Sequence, residues 1–184
     1  VSGDGEITGR VDNSTYSPIS GTQTSTDVGP SGTRSFDFTL PAGREADDLV
    51  VAFFSASASA PVSSYTEPPG WTTIESDYYD NGTDYVFSAV LYKVMTGAEA
   101  DTANVVLNCG GTTRSASITY CIDNYTGSPE AGSVSSATSQ NPNPPSLSPS
   151  GGSNYYLWFA SAGYRYGRTV SSYPSGYGDE VFIR

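Results

Sequence analysis

This chain of 184 residues has no histidine and only one lysine, Lys93. The first absence excludes Ser-His-Asp and Cys-His nucleophile systems, His-ligated zinc and imidazole pH switches. The second leaves eight basic residues against 19 acidic ones, a net charge of -11. Phosphate neutralisation and polybasic membrane contacts both need clustered cations, so neither nucleic acid nor membrane is an expected partner. No run approaches the roughly 18 apolar residues of a membrane span, and no signal-peptide pattern occurs. The chain starts at Val1 rather than Met, so an N-terminal segment is expected to have been removed or the chain to be part of a longer polypeptide. Charged residues make up 15%, against roughly 25% in an average soluble chain. The expected surface is neutral and rich in hydroxyl and amide groups.

What is present is a pattern that occurs twice. Residues Phe36 to Trp71 read FDFTLPAGREADDLVVAFFSASA, a polar loop, then PPGW; residues Leu147 to Tyr177 read LSPSGGSNYYLWFASAG, a polar loop, then PSGY. In each copy a short strand meets a turn marked by Pro41 or Pro149, an apolar strand follows, and a Pro and Gly corner delivers Trp71 or Tyr177. Two copies suit one sandwich built from similar halves, since solenoid arrays need about three or more repeats. The expected fold is all-β, an antiparallel β-sandwich, jelly-roll-like, with two pseudo-repeated halves. A single domain over 1–184 is expected, comprising an N-terminal arm or first strand (1–33), a first half (34–127), a Pro, Ser, Asn and Gly-rich crossover (128–153) and a second half (154–184). The second copy stops soon after Tyr177, so further chain is expected beyond Arg184.

Strand periodicity dominates. Arg34 to Leu40 alternate, with Phe36, Phe38 and Leu40 on one face. Leu49 to Phe54 form a continuous apolar run, as expected of a strand covered on both sides. Tyr85 to Met95 have strand composition, and the TGAEADTA segment after them is at most one helical turn. Asn104 to Leu107 and Ser115 to Ile122 read as a hairpin about Gly110 and Gly111. Its second strand is expected to turn Ala116, Ile118, Tyr120 and Ile122 inward and Ser115, Ser117 and Thr119 outward.

The succession FTLPAGREADDLVVAFFSASA, PPGWTTI, AVLYKVMTGAEADT and SASITYCIDNYTG resembles a β-sandwich module that recurs in tailed-phage virion proteins and some bacterial surface proteins. The likeness covers about Ser35 to Gly127. It implies virion association, as a capsid decoration protein, fibre or tail adhesin, with other virion proteins or further copies as partners and a virion-surface or extracellular location. It implies no catalytic residue.

Tyrosine is the main functional hint, with 14 in the chain. A tyrosine joins apolar area to a hydroxyl at the cost of two torsions, which favours protein and sugar contacts alike. Tyr78, Tyr79 and Tyr85 in one loop and Tyr164, Tyr166 and Tyr173 in its counterpart form a candidate contact surface; the alternative is that they pack down over the ends of the core. Trp71 is read as a corner aromatic closing one end of the sandwich. Asp77, Asp80 and Asp84 flank Gly82 with the oxygen chemistry calcium prefers, but their spacing departs from D-x-D-x-D-G and equally suits a hairpin tip. No cofactor is otherwise expected. Glu45, Asp47, Asp48, Glu67, Glu75, Asp77, Glu99 and Asp101 read as turn residues, and no pair stands out for glycoside hydrolysis, so enzymatic activity is not expected. Lys93 and Glu99 either pair or are solvated. Cys109 and Cys121 are open to two readings, a disulfide or buried thiols. Acceptor sequences for N-glycosylation occur at Asn13, Asn81 and Asn124. Three functional classes follow: a virion structural module, a carbohydrate-binding adhesin of a virion or cell surface, and an extracellular filament subunit.

Overall fold

A computed structural model describes residues 16–19, 23–26, 32–111, 113–123, 125–134, 145–152 and 156–163. Among them are nine strands and no helix: β1 (Tyr16–Ile19), β2 (Gln23–Thr26), β3 (Gly32–Thr39), β4 (Leu49–Ala58), β5 (Val62–Thr66), β6 (Thr72–Asp80), β7 (Tyr85–Val94), β8 (Thr102–Cys109) and β9 (Thr113–Ile122). They form two antiparallel sheets packed as a β-sandwich. The wider sheet runs β1-β9-β4-β7-β6, with β2 also on β9, and the narrower one runs β3-β8-β5. Tyr16 pairs with Ile122 and Thr26 with Thr113, so residues of the expected N-terminal arm edge the wider sheet along the whole of β9.

The interior follows from alternation. A strand shows successive side chains to opposite faces, so β3 turns Phe36, Phe38 and then Leu40 inward, all nearly inaccessible. They face Val50, Ala52, Phe54, Ala56 and Ala58 of β4 and Phe87, Ala89 and Leu91 of β7. Large rings on the narrow sheet thus oppose many small residues on the wide one, which lets two pleated surfaces interdigitate without voids. The run Leu49 to Phe54 is central, with β7 on one side and β9 on the other.

Two sequence expectations are corrected here. The β8 and β9 segments do not form a hairpin: β8 lies in the narrow sheet and β9 in the wide one, and the chain changes sheet at Gly110 and Gly111. Gly111 has φ +69, and a Cβ there would fall 1.8 Å from Ser59 Oγ, so the corner needs both the left-handed backbone and the missing side chain. The facing of β9 is also the reverse of that expected. Thr113, Ser115, Ser117 and Thr119 are buried toward the narrow sheet, and Thr119 Oγ1 donates to the Thr39 carbonyl at 2.9 Å. The reason is volume and polarity. The space opposite Phe36 and Phe38 is filled by rings from one side, so small side chains fit on the other. Arg34, inward-facing and 6% exposed, sits toward the Thr113 end, where hydroxyls suit a buried cation better than methyl groups do.

Ala116, Ile118 and Tyr120 consequently face outward beside Val51 and Phe53. This second apolar face is covered by the described segment 156–163. The Phe159 ring lies 5.5 Å from Phe53 and 4.8 Å from Tyr120, and Gly163 approaches so closely that a Cβ would meet Ser55 Oγ at 1.9 Å. The apolar segment of the second copy therefore lies over a sheet rather than within one: among the described residues, 156–163 form no strand, whereas their sequence counterpart in the first copy is β4.

Candidate functional site

Among the described residues the wide sheet is broader than the narrow one, so its inner face overhangs the last described strand of its partner. At this overhang, β5 ends one sheet and β6 ends the other. The corner from Glu67 to Trp71 joins them: Trp71 N–H donates to the Pro68 carbonyl at 3.1 Å, Gly70 takes φ +76, and Trp71 is 6% exposed with its ring edge-on to Phe38 at 5.2 Å. Folding back at this corner brings Tyr65 and Tyr78 into one groove of about 300 Å³, also lined by Val62, Ser63, Ser64, Ser76, Asp77 and Phe87.

The groove floor is anchored. Tyr65 stacks on Phe87 at 4.8 Å, Phe87 contacts Phe54 at 6.2 Å, and Phe54 contacts Phe36 at 6.1 Å. The ring row therefore runs from the core to the surface. The Tyr65 hydroxyl meets Thr73 Oγ1 at 2.8 Å, and Thr73 donates its own hydroxyl to Glu67, so the phenol is the donor in a relay ending on a carboxylate. Burial first, with the negative Glu67 nearby, raises the Tyr65 pKa, and the phenol keeps its proton. Tyr78 pairs across the ladder with Phe87 yet is 58% exposed, since among the described residues the narrow sheet ends at β5.

The structure redistributes the expected tyrosine cluster. Tyr78 and Tyr79 lie on β6 and Tyr85 opens β7, rather than all three lying in the loop. Adjacent strand residues point to opposite faces, so Tyr79 is on the outer face while Tyr85 packs against the core margin. Tyr164, Tyr166, Tyr173 and Tyr177 lie outside the described residues. Pro41 is buried in the turn before β4, where Arg44 Nη1 donates to its carbonyl at 2.9 Å; the Pro149 carbonyl accepts from Gly152 N–H at 3.4 Å. Tyr65 was legible only as a surplus aromatic, and its meeting with Tyr78 depends on which way the Pro-Pro-Gly-Trp corner folds.

Two of the three hairpin carboxylates cap backbone, and the third meets the Asn81 side chain. Asp77 Oδ1 accepts from Tyr78 N–H at 2.8 Å and Asp80 Oδ1 from Gly82 N–H at 2.7 Å, while Asp84 Oδ2 accepts from the Asn81 amide at 3.3 Å. Among the described residues no three His, Cys, Asp or Glu side chains gather as a metal would require. Cys109 and Cys121 are free thiols. They stand in opposite sheets and at opposite ends: Cys109 Sγ is 3.3 Å from Thr113 Oγ1, and Cys121 is eight residues further along β9, a span of about 26 Å. A disulfide tolerates Cα separations of only about 4 to 7 Å.

A second hollow, of about 270 Å³ beside Trp71 and Pro68, contains Lys93 and Glu99. These pair at 3.2 Å. Glu99 also accepts from the Thr96 N–H at 2.9 Å, the Thr96 hydroxyl at 2.8 Å and the Gly97 N–H at 3.0 Å. The Thr96 backbone bond foremost, then the Thr96 hydroxyl and Lys93, bring the Glu99 pKa down from 4.5 to about 2. A carboxyl held low in the folded state stabilises it fully above its unfolded pKa and loses that contribution as pH falls through the folded value. Glu99→Gln is expected to lower the urea midpoint at pH 7, with the gap to the parent constant above about pH 5 and closing between pH 4.5 and 2. A gap independent of pH would contradict this.

No family model, curated protein or solved structure matches this chain.

Proposed function

We propose that this protein is a non-enzymatic structural module of a phage virion, a capsid decoration or fibre and tail component, acting through contacts with other virion proteins or copies of itself at the virion surface. The observation that carries the reading is the strand order. With β2 and the edge strand β6 set aside, the orders β1-β9-β4-β7 and β3-β8-β5 place side by side strands that are not consecutive in the sequence. That interleaving supports a reading as the two Greek keys of a jelly roll, an architecture shared by viral capsid domains and lectins. We also read the sandwich as jelly-roll-like, with the second copy of the sequence pattern as a degenerate half.

Fold alone does not assign function, so the support comes equally from the surface. With 15% charged residues and hydroxyl-rich strand faces, it suits a permanent neighbour better than a charged ligand. The test is purification of particles from the native source with mass spectrometry across a salt series. Fixed stoichiometry that survives high salt is the expected result. Recovery only as free chain, with no particle carrying it, would remove the proposal.

A further inference from the structure

We infer that the outer face of the wide sheet is a contact between copies of this chain, made by exchange of the segment 156–163: the strap of one copy docks on β9, β4 and β7 of the next. The inference deepens the assembly reading and rests on it, since it names the contact through which copies meet.

The argument starts from a net charge of -11, which sets copies against one another unless they meet on a neutral surface. The outer face supplies one. The register aligns Ile118, Phe53 and Val90 in one row across the sheet and Tyr120, Val51 and Tyr92 in the next. Neither row carries a charge, as suits the centre of a protein contact. Among the described residues the exposed large apolar side chains are Tyr78, Val94 and Leu157, and two of these three belong to this layer. Val94 shares the outward parity of Val90 and Tyr92, and Leu157 lies in the strap itself. Docking within its own copy thus leaves the strap with Leu157 46% exposed, apolar area of the kind that marks a contact.

The fit of the strap is specific yet transferable. Phe159 sits on Phe53 and Tyr120, and Gly163 lies where a Cβ would meet Ser55 Oγ at 1.9 Å and Ser88 Oγ at 2.9 Å. Because 156–163 form no strand, an identical segment from a neighbour can make the same contacts without any ladder being broken. The connection also has length to spare. Ile122 lies two residues past Tyr120 and Tyr156 three before Phe159, so about ten extended residues would join β9 to the strap. Some 33 are present, 123–155, whereas connections longer than roughly 12 to 15 residues are uncommon and usually functional. Their full extension is about 110 Å, past a neighbouring domain of about 40 Å.

A tethered strap faces its own floor at a local concentration of about 1 mM, so exchange competes once copies are that concentrated. Light scattering of the full chain is expected to give the monomer mass at about 10 µM and twice that mass at about 1 mM. Two variants separate the parts. Phe159→Asp spoils the strap and keeps the floor, while Ser55→Leu fills the place of Gly163 and keeps the strap. Each alone should remain monomeric at the higher concentration, and their mixture should form a one-to-one pair, because one sound floor then receives one sound strap. Far-UV circular dichroism checks that both are folded, and Ser88→Leu blocks the same spot should Ser55→Leu fail to fold. A parent chain monomeric throughout, either variant pairing with itself, or a mixture that stays monomeric would overturn the inference. Particle co-purification without exchange would overturn this inference alone; exchange by a chain that no particle carries would uphold it and remove the virion role alone.

Discussion

Trp71→Ala is expected to destabilise the protein by about 3 to 5 kcal/mol, the usual range for removing a buried large aromatic. Stabilities of single domains run from about 5 to 15 kcal/mol, so one substitution at the β5 to β6 corner would consume a large share. The physical grounds are cumulative. The indole is 6% exposed and edge-on to Phe38, so its loss opens a cavity against a ring that cannot follow. The corner itself is held by the Trp71 to Pro68 backbone bond, which survives the substitution; the effect should therefore appear as loss of packing rather than of the turn. Equilibrium urea unfolding at constant m-value reports it. A shift under about 1 kcal/mol would mean that the corner aromatic is peripheral to the core.

Alkylation of Cys121 in the native protein at pH 8 is expected to run about tenfold or more slower than in the urea-unfolded chain. The Cys121 pKa is raised from 9.0 to about 12, first by burial and then by Asp48, whose carboxylate Oδ2 accepts the S–H at 3.3 Å. Removing that proton would set a thiolate against a carboxylate. The same Asp48 oxygen accepts from the Glu45 N–H at 2.7 Å, so it cannot turn away without opening the turn before β4. Since the thiolate is the reacting species, the raised pKa and the burial of the sulfur both slow the reaction, while the greater nucleophilicity of a more basic thiolate offsets part of the loss. Native and unfolded samples treated with iodoacetamide and resolved by mass spectrometry give the ratio; equal rates in both would contradict the geometry.

How far the sequence reveals this molecule depends on whether one face or two are apolar. Arg34 to Leu40 alternate apolar with polar, and the inward set follows directly. Leu49 to Phe54 are apolar throughout, and a strand covered on both faces is the direct reading. β9 is the informative failure. Its Ala, Ile, Tyr and Ile positions are the more apolar set, and simple hydrophobicity turns them toward the sandwich. They instead face a cover supplied from 156–163, while the Ser and Thr set meets a sheet already crowded with phenylalanine. Nothing local to β9 records either partner. The groove was similarly half legible: an excess of tyrosine is plain in the composition, but the convergence of Tyr65 with Tyr78, and the separation of Tyr78 from Tyr79, follow from sheet widths and strand parity.

The apolar outer face of β4 and β9 also has a place in time. A ribosome delivers about 5 to 20 residues per second, and some 37 residues separate Ile122, where the last strand among the described residues ends, from Phe159, which roofs Phe53 and Tyr120. For about 2 to 7 seconds of each synthesis the nine described strands have been made but the roof has not. During that interval the nascent chain presents to its neighbours on the same messenger a greasy surface that the finished protein conceals.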